Sequence, residues 1–137
     1  VQQQLNGAGF KVELKTPELG AFVQDWRNSN FDAFVSTNAG SPEPDDYFYR
    51  TFKTGGSTNV FKYTNPELDK LLDEGRVAST QAARKAAYDK AQKILACDGP
   101  IAHMTYGQLF TAKRANVDGF DIIANRSLSS LANVSAK

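Results

Sequence analysis

The spacing of apolar residues changes period several times along the chain, and each change marks an element. Residues 1 to 7 carry a helical pattern stopped by Gly7 and Gly9, since glycine favours the position just past a helix C-terminus. Phe10, Val12 and Leu14 then alternate with Lys11, Glu13 and Lys15, which predicts a half-buried strand that Pro17 ends. Leu19, Phe22, Val23 and Trp26 fall at i, i+3, i+4 and i+7, the stripe of an amphipathic helix. Phe31 to Val35 is nearly continuous in apolar residues and predicts a buried central strand. Strand, helix and strand make a βαβ unit, whose crossover is expected to be right-handed.

From Gly40 to Gly56 the character changes, with two prolines and three acids followed by Tyr47, Phe48, Tyr49 and Phe52. This predicts a loop running into a short helix from about Asp45 to Lys53. Asn65, Pro66 and Glu67 are an N-cap, a first-turn proline and a first-turn acid, and Leu68, Leu71 and Leu72 form the buried stripe behind them. A second helix is expected from about Thr80, with Ala87, Tyr88, Ala91, Ile94 and Leu95 on one face and Gly99-Pro100 as its stop. Ile101 to Tyr106 reads as a strand, and Val117, Phe120, Ile122 and Ile123 as a last one. The Ser/Ala/Asn-rich tail after about residue 126 is expected to be mobile. Alternating strands and helices give an α/β fold in a single domain over residues 1–137.

Composition narrows the chemistry. The chain has 137 residues, 41% hydrophobic and 23% charged, enough for a packed core without staples. Sixteen basic and fifteen acidic residues leave a formal charge of +1, which supplies no broad field for nucleic acid. A single cysteine, Cys97, excludes an intrachain disulfide, and with a single histidine, His103, it excludes a Cys/His zinc site closed within the chain. No apolar run approaches the roughly 20 residues that span a bilayer. The opening Val1-Gln2-Gln3-Gln4-Leu5 has no charged-then-apolar leader and begins inside a helical pattern, as a piece of a longer protein would.

Catalytic candidates are few. Cys97 and His103 are the available nucleophile and base, six residues apart, and read better as a small buried thiol and a strand histidine. Gly55-Gly56-Ser57-Thr58 lacks the Lys-Ser/Thr ending of a phosphate loop and reads as a turn. Glu43, Asp45 and Asp46 offer paired carboxylates for a hydrolase, but acids beginning a helix also interact favourably with its dipole. Six rings (Tyr47, Phe48, Tyr49, Phe52, Phe61 and Tyr63) lie within 17 residues, more than a short helix and loop bury alone. Most are expected in the core, and some against a ligand or a second lobe.

From residue 60 onward the chain resembles a known family. Tyr63-Thr64-Asn65-Pro66-Glu67-Leu68-Asp69-Lys70-Leu71-Leu72 resembles the "Y-(S/T)-N-P-E-(V/L)-D-x-L-L" segment of family 5 bacterial solute-binding proteins, the dipeptide-, oligopeptide- and nickel-binding components of ABC importers. Arg84, Tyr88, Ala91-Gln92-Lys93-Ile94-Leu95 and Pro100-Ile101 are similar to that family's "R-x-x-x-Y-x-x-A-Q-x-I-L-x-x-D-x-P-x-I" run. Leu5, Gly9, Val12, Leu14 and Phe31-Asp32-Ala33 resemble its "L-x-x-x-G-x-x-V-x-L … F-D-A" pattern, and Asn59 and Val117-Asp118-Gly119-Phe120 fit as well. The matches run in order over residues 1 to about 120.

The resemblance implies a fragment comprising most of one lobe, the C-terminal, of a type II periplasmic-binding-protein-like fold, with a mixed sheet flanked by helices. Ligand would sit between this lobe and an N-terminal one, enclosed by hinge closure. It implies no catalytic residue, no metal and no cofactor. The partners it implies are a peptide or other small solute and the membrane subunits of an ABC transporter, outside the cytoplasm. Self-association through the lobe face is a further expectation. The loop after the "F-D-A" strand lines the family's cleft, so Thr37, Asn38, Gly40, Ser41 and Tyr47 are the expected ligand contacts. Here the chain departs from the pattern. Peptide binders resemble "G-W-x-x-D-x-x-D-P-D", with the first acid pairing the peptide ammonium, whereas this chain has Asn38 in place of the Trp and Gly40 or Ser41 in place of the acid. A buried ammonium without a carboxylate costs about several kcal/mol, so a neutral or capped ligand such as an oligosaccharide is expected. The alternatives are a ligand sensor of a transcription regulator, which would carry a helix-turn-helix upstream, and third a carboxylate-pair hydrolase.

Overall fold

The computed structural model describes residues 1–37, 42–108, 110–123 and 127–136. They fall in two compact units, Val1–Ser36 and Thr37–Lys137.

In the first unit, α1 (Gln2–Gly7) ends where the glycines predict, with Gly9 at φ +94°. Side chains bind it to the segment that follows: the Gln2 amide donates to the Val12 carbonyl (3.0 Å), and the Val12 N–H donates to Asn6 Oδ1 (2.9 Å). The helix α2 (Leu19–Arg27) carries the predicted stripe, with Phe22, Val23 and Trp26 half-buried and Leu19 exposed. Phe34 meets Phe31 and Phe22 edge-on, at ring separations of 4.8 and 6.2 Å.

Neither expected strand of this unit forms. Residues 10–14 have no ladder partner among the described residues, and Phe10 and Leu14 are exposed. Phe31 to Val35 is not a buried central strand either, with Phe34 37% and Val35 66% exposed. A strand's burial comes from strands beside it and layers over it. Among the described residues no segment pairs with 31–35, so beyond the Phe22, Phe31 and Phe34 ring contacts its apolar side chains are left largely uncovered. The parallel pairing of a βαβ unit is absent among the described residues for the same reason.

The second unit is built on three helices. Glu43 caps α3 (Pro44–Phe52), its Oε1 accepting from the Asp45 N–H (3.1 Å), and Pro44 opens the first turn. Asn65 Oδ1 accepts from the N–H groups of Glu67 and Leu68 (3.0 and 3.1 Å) to start α4 (Pro66–Val77). Thr80 Oγ1 accepts from the Ala83 N–H (3.2 Å) to start α5 (Gln81–Asp98), and Gly99 ends it at φ +59°, the left-handed conformation glycine adopts without strain. Phe52, Leu68, Leu71, Leu72, Tyr88 and Ala91 are the buried core where the three helices meet. All six rings of the aromatic cluster belong to it: Phe52 lies inside, and Tyr47, Phe48, Tyr49, Phe61 and Tyr63 pack against it half-buried.

Beyond α5 the described chain is largely irregular. The segment from Ile101 to Tyr106, expected as a strand, has no ladder partner among the described residues, and Met104 and Tyr106 are exposed. Of the expected last strand, Val117–Asp118 forms β1, paired antiparallel with β2 (Ser135–Ala136) in the register Val117↔Ala136 and Asp118↔Ser135. Phe120, Ile122 and Ile123 lie outside it. In the tail, Ser129–Asn133 makes a 3-10 turn whose buried Ser130 hydroxyl donates to the Asp121 carbonyl (2.7 Å). The described architecture is thus mixed and helix-rich, with one small antiparallel pair.

Candidate functional site

Of the residues expected to touch ligand, Asn38, Gly40 and Ser41 lie outside the described residues. Thr37 is exposed at the start of the second unit. Tyr47 sits in the first half of α3, half-buried, with its ring edge-on to Phe48 (5.8 Å) and Phe52 (5.7 Å). The geometry ties Tyr47 to the core, where offset and edge-on ring pairs are favourable.

The acids of α3 have partners that local sequence does not reveal. Arg76, in the last turn of α4, donates from Nε to both carboxylate oxygens of Asp45 (3.0 Å each) and from Nη2 to Oδ2 (2.8 Å). The Tyr88 hydroxyl, from α5, donates to Asp45 Oδ1 (3.2 Å). Glu43 pairs with Arg84 of α5 while also capping its own helix. The more exposed Asp46 faces Arg50 within α3 (4.0 Å). Two acids that begin a helix are therefore bonded across 31 to 43 residues of sequence. Their oxygens serve capping and ion pairing, the arrangement of a structural clamp.

A second charged cluster continues from the first. The guanidinium of Arg76 stacks over the Tyr49 ring (3.2 Å from its centre), and Lys53 Nζ lies 5.3 Å from the same ring. The Tyr49 hydroxyl and Lys53 Nζ both donate to Asp73 (3.1 and 2.8 Å). These contacts hold the Asp73 carboxyl below its usual range, chiefly through the Lys53 hydrogen bond, and raise Lys53 through the same bond. Arg76 is raised by its bonds to Asp45. Burial pushes the Tyr88 phenol up to about 12, with the nearby Asp45 charge acting in the same direction.

The remaining candidates resolve plainly. Gly55-Gly56 is a packed turn: the Gly56 N–H donates to the Lys53 carbonyl (2.8 Å) and the Thr58 N–H to the Arg50 carbonyl (2.9 Å), so these amides are spent inside the chain. Cys97 is exposed, which corrects the buried reading, because it falls on the solvent side of α5 near its end. His103 is also exposed, with its ring stacked on Tyr106 at 6.4 Å. Among the described residues no group of three His, Cys, Asp or Glu could hold a metal ion.

No family model matches the chain, and no solved structure matches it significantly. Curated proteins do. The chain is 30% identical over 129 residues to a probable di/tripeptide-binding protein of Pseudomonas aeruginosa strain UCBPP-PA14, an alignment covering 89% of this chain and 24% of that protein. It is 28% identical over 131 residues to the oligopeptide-binding protein AppA of Bacillus subtilis strain 168, covering 93% of this chain and 24% of the relative. It is 30% identical over 94 residues to the periplasmic murein peptide-binding protein MppA of Escherichia coli K12, covering 69% and 18%. The chain belongs with the family 5 bacterial solute-binding proteins. It spans about a quarter or less of the length of these family 5 relatives.

Proposed function

We propose that this chain is part of the C-terminal lobe of an extracytoplasmic solute-binding protein that delivers its ligand to the membrane subunits of an ABC importer. The observation that carries the reading is the ordered similarity to peptide-binding proteins over nearly the whole chain. On this reading both units belong to one lobe with a mixed sheet, and the exposed apolar segments at 10–14, 31–35 and 101–106 find ladder partners in the rest of the protein. The protein is not an enzyme. The relatives, named as binding proteins, support that, and so does the engagement of Glu43 and Asp45 in ion pairs and capping.

Ligand is held between this lobe and an N-terminal one, against Thr37, Asn38, Gly40, Ser41 and Tyr47. It is peptide-like or another small solute without a free ammonium, because the loop lacks the acid that pairs one in the family pattern. Alone, the lobe binds weakly, half its cleft wall being absent, and it pairs with itself through the face turned to the other lobe. Calorimetric titration of the whole parent protein with tri-alanine and with N-acetyl-tri-alanine tests the ligand argument. The acetylated peptide is expected to bind more tightly, and micromolar binding of the free-amine peptide alone would overturn it.

A further inference from the structure

We infer that Arg76, Tyr88 and Arg84, from α4 and α5, are positioning residues that hold the N-terminal turn of α3 and with it the Tyr47 end of the proposed ligand surface. This rests on the proposed function for its ligand, and on geometry for the rest.

The helix α3 is nine residues long, too short to persist by propensity. Its apolar anchorage is lopsided. Thr51 and Phe52, in the last turn, are its buried residues, and its first turn has none. Besides the half-buried Tyr47 ring against the core, ionic bonds hold the first turn: three hydrogen bonds from Arg76 and one from Tyr88 converge on Asp45, and Arg84 pairs with Glu43 one position before the helix. A bidentate guanidinium–carboxylate pair fixes orientation as well as distance, so it sets the rotation of α3 about its axis. Tyr47 follows Asp45 by two residues. Arg76 is itself stacked on Tyr49, so the clamp grips the same helix at two places. Through these bonds α4 and α5, which share the Leu68, Leu72 and Tyr88 core, transmit their position to α3.

The test uses the whole parent protein with Arg76→Gln, Arg76→Lys and, as a control on the outer face of α4, Lys70→Gln. Hydrogen exchange over residues 45–50 is expected to quicken about tenfold in Arg76→Gln while residues 84–95 change less than about twofold. Arg76→Lys keeps the charge without the fork and is expected to fall between. In calorimetry, the dissociation constant for whichever of tri-alanine and N-acetyl-tri-alanine the unaltered protein binds is expected to rise about tenfold, which is about 1.4 kcal/mol. Lys70→Gln is expected to move neither quantity. Unchanged exchange over 45–50 in Arg76→Gln overturns the inference. So does faster exchange with unchanged affinity, which would make the clamp a stabilising contact only. If the unaltered protein binds neither peptide, the proposed ligand class fails separately, and the exchange comparison still decides whether the clamp positions α3.

Discussion

Gly75 lies directly beneath the ring of Tyr88: a Cβ built on Gly75 would come within 3.0 Å of Tyr88 Cε2 and Cζ. A glycine inside a helix costs roughly 1 kcal/mol relative to alanine, yet here its missing side chain lets α5 approach α4. That approach brings the Tyr88 hydroxyl to Asp45. Gly75→Ala gains the helix propensity and forces the ring aside, and overpacking of a filled core costs about 1–3 kcal/mol. The expected result is a net loss of about 1 kcal/mol in urea unfolding. A variant more stable than the original would show that the Tyr88 ring can yield freely.

Asn59 secures the turn between α3 and α4 with its whole side-chain amide. Nδ2 donates to the carbonyls of Lys53 (3.0 Å) and Tyr63 (2.7 Å), and Oδ1 accepts from the Tyr63 N–H (3.0 Å). At about 1 kcal/mol per bond, Asn59→Ala is expected to cost about 2–3 kcal/mol. Asn59→Asp sets a carboxyl oxygen against two carbonyls, so its deficit is expected to widen as pH rises through the carboxylate range. Unfolding curves of the two variants at several pH values test both statements.

Two phenols make stability fall at alkaline pH. Burial pushes Tyr63 up to about 12, its hydrogen bond to Asp98 acting in the same direction, and burial likewise pushes Tyr88 up to about 12. Both bind their protons more tightly folded than unfolded, where a tyrosine titrates near 10. Their contribution is therefore complete below pH 10 and is lost as pH rises toward about 12. Asp98 works at the other end. The Tyr63 and Asn65 hydrogen bonds hold it below its ordinary 3.8, so its contribution is present above that value and disappears as pH falls through the lower, folded one. Phenolate absorbance should show Tyr63 and Tyr88 titrating late while the protein stays folded. Ordinary titration of both would contradict this.

Leu72 is fully buried at the junction of the three helices. Leu72→Ala is expected to cost about 2–5 kcal/mol, the transfer term plus the cavity left behind. By contrast Leu19→Ala, at a position 75% exposed, should change stability of this chain little. Denaturant midpoints for the pair compare a fully buried position with an exposed one.

Helix boundaries were readable because their causes are local. Asn65, Thr80 and Gly99 stand within a few residues of the groups they cap, so the termini of α4 and α5 follow from spacing alone. Strand pairing has no such local cause. Phe31 to Val35 has the composition of a central strand, but burial depends on neighbours that its own residues do not specify. The clamp on α3 was hidden for a related reason. Asp45 and Arg76 are 31 residues apart, and an acid beginning a helix is explained by the dipole without any partner. The aromatic cluster was half legible: its density announced a core, while only the packing tells which ring is fully inside, and that ring is Phe52.

The measurement that tests the central claim most directly is mass spectrometry of whatever the whole parent protein releases when it is purified natively and then denatured. If the proposed function holds, the protein should release a small molecule at close to one per protein, and the departure of residues 37–41 from the family pattern predicts a compound without a free amino terminus. A mixture of free-amine peptides would keep the transport reading and overturn the ligand argument. A preparation that releases no small molecule would contradict the account at its centre.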